Sequence, residues 1–176
     1  NTKLTYLDLS EATSLVEIGK SAFSETNLAG TLMIPSTVTK IGPDAFYYTG
    51  LTGLDLSKAT SLVEIGERAF LGSTRLAGTL AVPNTVTKIG NEAFYYTKLT
   101  RLDLSDATSL VEIGNGAFYA ATLAGTLAVP NTVMTIGNAA FASTKLAGLD
   151  LSKANSLVEI EAGAFSDISG IPWRSD

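Results

Sequence analysis

Seven near-copies of one nine-residue phrase restrict this chain to folds that are themselves repetitive. LVEIGKSAF occupies 15–23, LVEIGERAF 62–70, LVEIGNGAF 110–118 and LVEIEAGAF 157–165. Between them stand VTKIGPDAF at 38–46, VTKIGNEAF at 86–94 and VMTIGNAAF at 133–141. Two unit types therefore alternate, the first starting at Leu4, Leu51, Leu99 and Leu146, the second at Leu28, Leu76 and Leu123. Units are 23 to 25 residues long, the pair recurs every 47 or 48, and seven units fill residues 4 to 169 of 176. A unit this short cannot bury its own apolar side, so its neighbours must cover it by stacking.

Stacking sets equivalent residues into columns. One column set is a short strand, with Leu7 and Leu9, Leu32 and Ile34, or Leu54 and Leu56 pointing inward and the residue between them outward. A second is Ile18, Ile41, Ile65, Ile89, Ile113, Ile136 and Ile160. A third is an Ala-Phe pair that ends at Phe23, Phe46, Phe70, Phe94, Phe118, Phe141 and Phe165, every phenylalanine in the chain. That regularity marks a core spine of stacked rings. The expected fold is a single right-handed β-solenoid of seven coils, mostly β with short turns and 3-10 segments. It forms one domain over residues 1–176, with a tail at 170–176, and is about 33 Å long at 4.7 Å per coil.

The corners of the two unit types differ. The first has a polar turn such as Ser57 to Ser61; the second has Pro35, Pro83 or Pro130, which ends a strand without needing a donor. Glycine follows the Ile column in six of seven coils, Gly19 to Gly137, and is expected to turn there with positive φ. Glu161 takes that place in the seventh, which should bend differently.

One column alternates in charge: Glu17, Lys40, Glu64, Lys88, Glu112, Thr135 and Glu159. At an interstrand spacing of about 4.7–4.9 Å, seven glutamates would repel one another, whereas alternation builds a ladder of attractions. Lys40 is expected between Glu17 and Glu64, and Lys88 between Glu64 and Glu112.

Composition limits chemistry more than it suggests any. There is no Cys and no His, so the commonest zinc ligands, the usual general base and the thiol nucleophile are missing. Net charge is −5 and the twelve Lys and Arg are scattered, which disfavours nucleic acid. No apolar run is long enough for membrane insertion, and there is no Asn-x-Ser/Thr sequon. Asp8, Asp55, Asp103 and Asp150 recur on the outward strand face, two coils apart. That separation, about 9–10 Å, is too wide for one Ca²⁺. It approaches an inverting glycosidase pair, but such a pair needs two carboxyls in unlike surroundings, which a repeat does not supply. The row is read either as solubilising charge or as a ligand-facing stripe, with Tyr6 and Arg101 beside it. Tyr47, Tyr48, Tyr95, Tyr96 and Tyr119 follow the Phe column and suit either an interface or a half-buried edge.

The phrases IPSTVTKIGPDAF (34–46) and VPNTVTKIGNEAF (82–94) resemble the BspA-type, or Treponema pallidum-type, leucine-rich repeat. The family often has Cys shortly after Ala-Phe, where this chain has Thr26, Thr49, Thr74, Thr97 or Thr144. The resemblance implies an extracellular or cell-surface scaffold that binds host or matrix proteins or other cells, and it carries over no catalytic residue. A flat repeated surface suits extended partners such as proteins or polysaccharides, and no cofactor is expected. Non-enzymatic adhesion through Asp8, Asp55, Asp103, Asp150, Tyr6 and Arg101 is the expected function. The alternative is a structural subunit that self-associates end to end into a filament through Leu7, Leu9 and Ile160 to Trp173. With no capping helix apparent, the chain is expected to be either a piece of a longer array or an assembling subunit, with Trp173 as a minimal lid.

Overall fold

The computed structural model describes residues 4–168; Trp173 and the tail at 170–176 lie outside them. It is a β-solenoid of seven coils, and no helix occurs among the described residues. The columns are as the repeat requires. Two-residue strands Glu17–Ile18, Lys40–Ile41, Glu64–Ile65, Lys88–Ile89, Glu112–Ile113, Thr135–Ile136 and Glu159–Ile160 join in that order as one seven-stranded parallel sheet. Its register sets Ile on Ile and the charged residues on one another.

The outward strands behave differently. They form three separate parallel pairs, Ala29–Met33 with Gly50–Asp55, Ala77–Ala81 with Lys98–Asp103, and Ala124–Ala128 with Lys145–Asp150. Each pair carries a bulge, because the first unit type brings six residues against five. Gly30, Gly78 and Gly125 stand at the bulges with φ of 84°, 87° and 79°, the conformation glycine reaches without a Cβ clash. The first coil has no strand here and joins the next through the Ala29 N–H to the Thr5 carbonyl at 3.1 Å.

After the Ile column each coil runs through consecutive turns rather than a 3-10 helix. The cause is two left-handed residues per coil, two before and two after the Phe, such as Asp44 (φ 56°) and Tyr48 (φ 50°). They rotate alternate N–H groups outward. In the second coil, Asp44, Phe46 and Tyr48 donate to the carbonyls of Glu67, Ala69 and Leu71 at 2.8–2.9 Å. Ala45 and Tyr47 donate back to Gly42 and Asp44 at 3.3 and 3.1 Å. The turn run is thus a second ladder between coils, and buried N–H groups that a loop would orphan are paired.

The Phe column stacks with centroids 5.2–5.3 Å apart and planes within 11°. Phe46, Phe70, Phe94, Phe118 and Phe141 are fully buried and Phe165 nearly so, while Phe23 in the first coil is half-buried. Each fully buried ring of this spine contributes about 1.5–3 kcal/mol. Beside it runs a column of buried hydroxyls. Thr26, Thr49, Thr97 and Thr144 each donate to the carbonyl of the Phe three residues earlier, at 2.7–3.2 Å. In the third coil the buried member is Ser73 and not Thr74; its hydroxyl reaches the Phe46 carbonyl at 3.1 Å.

The glycines after the Ile column do not have positive φ. They are needed for close approach. A Cβ built on Gly42, Gly66, Gly90, Gly114 or Gly137 would lie 2.4–2.8 Å from atoms of the coil before. Gly19, in the first coil, has nothing within 4 Å. Glu161 takes the place at the other end; its N–H still bonds the Ile136 carbonyl at 2.9 Å, and its carboxylate accepts from Asn138 N–H at 3.2 Å. The last coil keeps its pairing rather than bending away.

Candidate interaction surface

The four aspartates stand where the repeat puts them, opposite Met33, Ala81 and Ala128 in the three strand pairs, with Asp8 in the strandless first coil. Each also has a local task that the sequence pattern did not suggest. One carboxylate oxygen accepts the N–H of the serine two residues on: Ser10 to Asp8 at 2.9 Å, Ser57 to Asp55 at 2.8 Å, Ser105 to Asp103 at 3.0 Å and Ser152 to Asp150 at 2.9 Å. This side-chain turn ends the strand. The Asp-Leu-Ser spacing was the available signal.

The same bonds hold all four carboxyls below the usual range. For Asp8, Asp55 and Asp103 the serine N–H is the largest cause and its hydroxyl the next; for Asp150 the Ser152 hydroxyl leads. The shift has one direction in four equivalent places, so nothing sets one of these four apart from the others as an acid–base pair requires. Tyr6 donates to the second oxygen of Asp8 at 3.4 Å and is 70% exposed. Arg101 is exposed opposite Thr79, in the position held by Gly53 and Gly148 in equivalent coils, and its charge adds to the lowering at Asp103. Tyr6 and Arg101 lie four coils apart and do not form one cluster. The residues make a row.

Beside that row are three recesses. One, of about 640 Å³, lies over Pro83 and is bounded by Asp55, Ser57, Thr60, Asp106 and Thr108. A second, about 310 Å³, lies over Pro35, and a third, about 350 Å³, over Pro130. All three have one origin. The proline corner spans eight residues from Ile34 to Ile41, while the polar corner spans ten from Leu56 to Ile65. The shorter corner sinks between two longer ones. The length difference was visible in the sequence but has no meaning until the coils are stacked.

On the neighbouring sheet the ladder is one-sided. Lys40 pairs with Glu64 and Lys88 with Glu112, each at 3.0 Å. Among the described residues no ion pair within 4 Å joins Lys40 to Glu17 or Lys88 to Glu64, although the backbone register sets them side by side. The Glu64 hydrogen bond, then its charge, raises the Lys40 pKa, with a small further push from Glu17. In the turn run, Arg68 is ion-paired with Asp44, its Nη2 donating at 3.2 Å and its Nε lying 3.0 Å away without hydrogen-bond alignment.

Among the described residues no group of three or more Asp or Glu is placed to hold a metal ion, and no helix is long and apolar enough to cross a membrane. A family model described as the BspA type leucine rich repeat region, with six copies, matches residues 1–108 and 39–171. Among solved structures, the pneumococcal vaccine antigen PcpA is similar over 85% of this chain, at 25% identity and TM-score 0.65. A leucine rich cell surface protein from Faecalibacterium prausnitzii A2-165 aligns over 88% at 23% identity and TM-score 0.49. The chain spans 37% of the first of these and 44% of the second. No curated protein matches its sequence.

Proposed function

Because the chain belongs to the BspA-type leucine-rich repeat family, we propose that it is a non-enzymatic scaffold that binds macromolecules at a cell surface or outside the cell. The strand face is its contact surface, and Asp8, Asp55, Asp103 and Asp150, with Tyr6 and Arg101, meet an extended protein or polysaccharide in adhesion. One observation carries this reading: the carboxylates and the recesses beside them repeat together every two coils, about 9–10 Å apart. A periodic surface without an enclosing pocket suits a periodic or extended partner, whereas a small metabolite needs concave enclosure. That a similar structure is a vaccine antigen supports a surface location.

Binding to immobilised matrix proteins and to polysaccharides tests the reading, with Asp55→Asn and Asp103→Asn combined as the variant. Asn keeps the strand-ending turn, so the variant should fold normally and bind at least about tenfold more weakly. Unchanged binding would remove the strand face as the contact surface. Turnover of a glycan or peptide that disappears with Asp55→Asn would overturn the non-enzymatic reading.

End-to-end self-association is the second reading, supported by Val158 and Ile160, which are 74% and 41% exposed on the last described coil. In-register stacking of the last coil on the first would oppose Glu159 and Glu17. Any such assembly should therefore strengthen with salt, which sedimentation can measure.

A further inference from the structure

The corner where the turn run enters the strand lies at the opposite end of that strand from the proline recesses, and it carries an aromatic surface. Tyr48 and Tyr96 occupy left-handed positions, with φ of 50° and 59°, which bulky side chains disfavour. Other coils fill the same place with Glu25, Gly72, Ala120, Ser143 and Asp167, so the fold requires no aromatic there. Both rings are about half exposed, at 53% and 50%. Tyr48 lies against Gly72, where a Cβ would meet its ring at 2.8 Å. The ring therefore rests partly on the next coil, and about half of the residue stays exposed. Tyr47 stands edge-on to Tyr48 at 4.6 Å, and Tyr95 edge-on to Tyr96 at 4.7 Å. Tyr95 in turn stacks on Tyr119 at 4.7 Å.

Equivalent positions two coils apart place the two exposed rings about 9–11 Å from each other, since the adjacent Tyr95–Tyr119 and Phe columns advance 4.7 and 5.2–5.3 Å per coil. A polyproline II chain advances about 9 Å per three-residue turn and leaves its carbonyls without internal partners. Such chains dock on aromatic surfaces, ring against ring, with tyrosine hydroxyls able to donate to the free carbonyls. We propose that Tyr48 and Tyr96, braced by Tyr47, Tyr95 and Tyr119, dock a proline-rich protein segment in the polyproline II conformation. One prolyl ring rests on each exposed tyrosine, three residues apart. Half-buried Glu92 lies near Tyr95 on the turn side, and exposed Arg75 and Lys98 follow the left-handed positions of their coils by three and two residues. With both signs present, proline spacing rather than peptide charge is what the surface reads. This inference rests on the scaffold reading but not on the strand-face aspartates.

Calorimetric titration with an uncharged peptide of repeated Pro-Pro-Ala triplets tests it. Tyr48→Ser with Tyr96→Ser is the variant to compare, since Ser143 already holds the same position with φ 56°; its thermal midpoint should match the wild type. The expected result is saturable binding that the double variant weakens at least about tenfold. A peptide with proline at every fourth residue should lose a similar factor. Asp55→Asn with Asp103→Asn should bind the Pro-Pro-Ala peptide as the wild type does, which separates this site from the strand face. Absence of binding, equal binding by the Tyr→Ser variant, or equal binding by the respaced peptide would each overturn the proposal. So would a soluble β-glucan that binds, and depends on these tyrosines, where the peptide does not.

Discussion

Gly42, Gly66, Gly90, Gly114 and Gly137 are glycine because one coil's backbone rests on the next where a Cβ would stand. A positive-φ explanation would predict equal damage at every member of the column. Close approach predicts damage only where a coil precedes. Gly90→Ala brings a Cβ to 2.6 Å from the Glu67 nitrogen, backbone that cannot swing away, and should destabilise by about 2–3 kcal/mol. Gly19→Ala meets nothing within 4 Å and should change stability by less than about 0.5 kcal/mol. Urea midpoints of the two variants decide the matter, and equal losses would refute the contact explanation. The column was legible in the sequence, but its reason was not, because the clashing atoms lie 22 to 25 residues away in the chain.

At the scale of the element, the short sheet is two residues wide and gains specificity from its charges. Slipping it by one coil would set Glu upon Glu. Each lysine nevertheless pairs in one direction only, since a single ammonium meets one carboxylate at 3.0 Å, and holding it there leaves the other neighbour at longer range. Lys88→Glu should therefore lose the Glu112 pair and add repulsion from both sides, costing about 0.5–1 kcal/mol at low salt because the side chains are half exposed. The loss should shrink as salt rises and the screening length falls below the coil spacing. Chemical denaturation with urea at low and high salt measures both quantities, and a salt-independent loss would rule out the ladder as its source. The outward strands show the opposite lesson: periodicity placed Leu and Asp on the correct faces, but no single unit reveals the division into three pairs or the bulge inside each.

For the whole molecule, stability should hold a plateau bounded by two sets of groups. The four strand-ending aspartates have folded pKa values below their unfolded values, so their stabilisation is present above about pH 4 and is lost as pH falls through the folded values. Lys40, through its pair with Glu64, and Tyr95, through burial, have raised values. Their contribution is complete below about pH 10 and is lost as pH rises past that. Urea midpoints followed across pH should fall at both ends. Asp55→Asn combined with Asp103→Asn keeps the turns neutral and should flatten the acid limb while leaving the alkaline limb in place. An unaltered acid limb would show that these carboxylates do not govern it.

The sequence by itself determined the solenoid, its seven coils, the Ile and Phe columns and the face on which the aspartates lie. Each of these follows from identical units stacking in register, and register is fixed once the repeat is seen. Tertiary structure alone decided the reason for the glycines, the direction of each lysine's pairing, the turn bonds of the aspartates, the proline recesses and the half-exposure of Tyr48 and Tyr96. These depend on distances between residues one coil apart, and a linear pattern can align such residues but cannot measure them. The seven Phe illustrate the division: their column was readable letter by letter, while half-burial at Phe23 in the first coil and near-complete burial at Phe165 in the last were not.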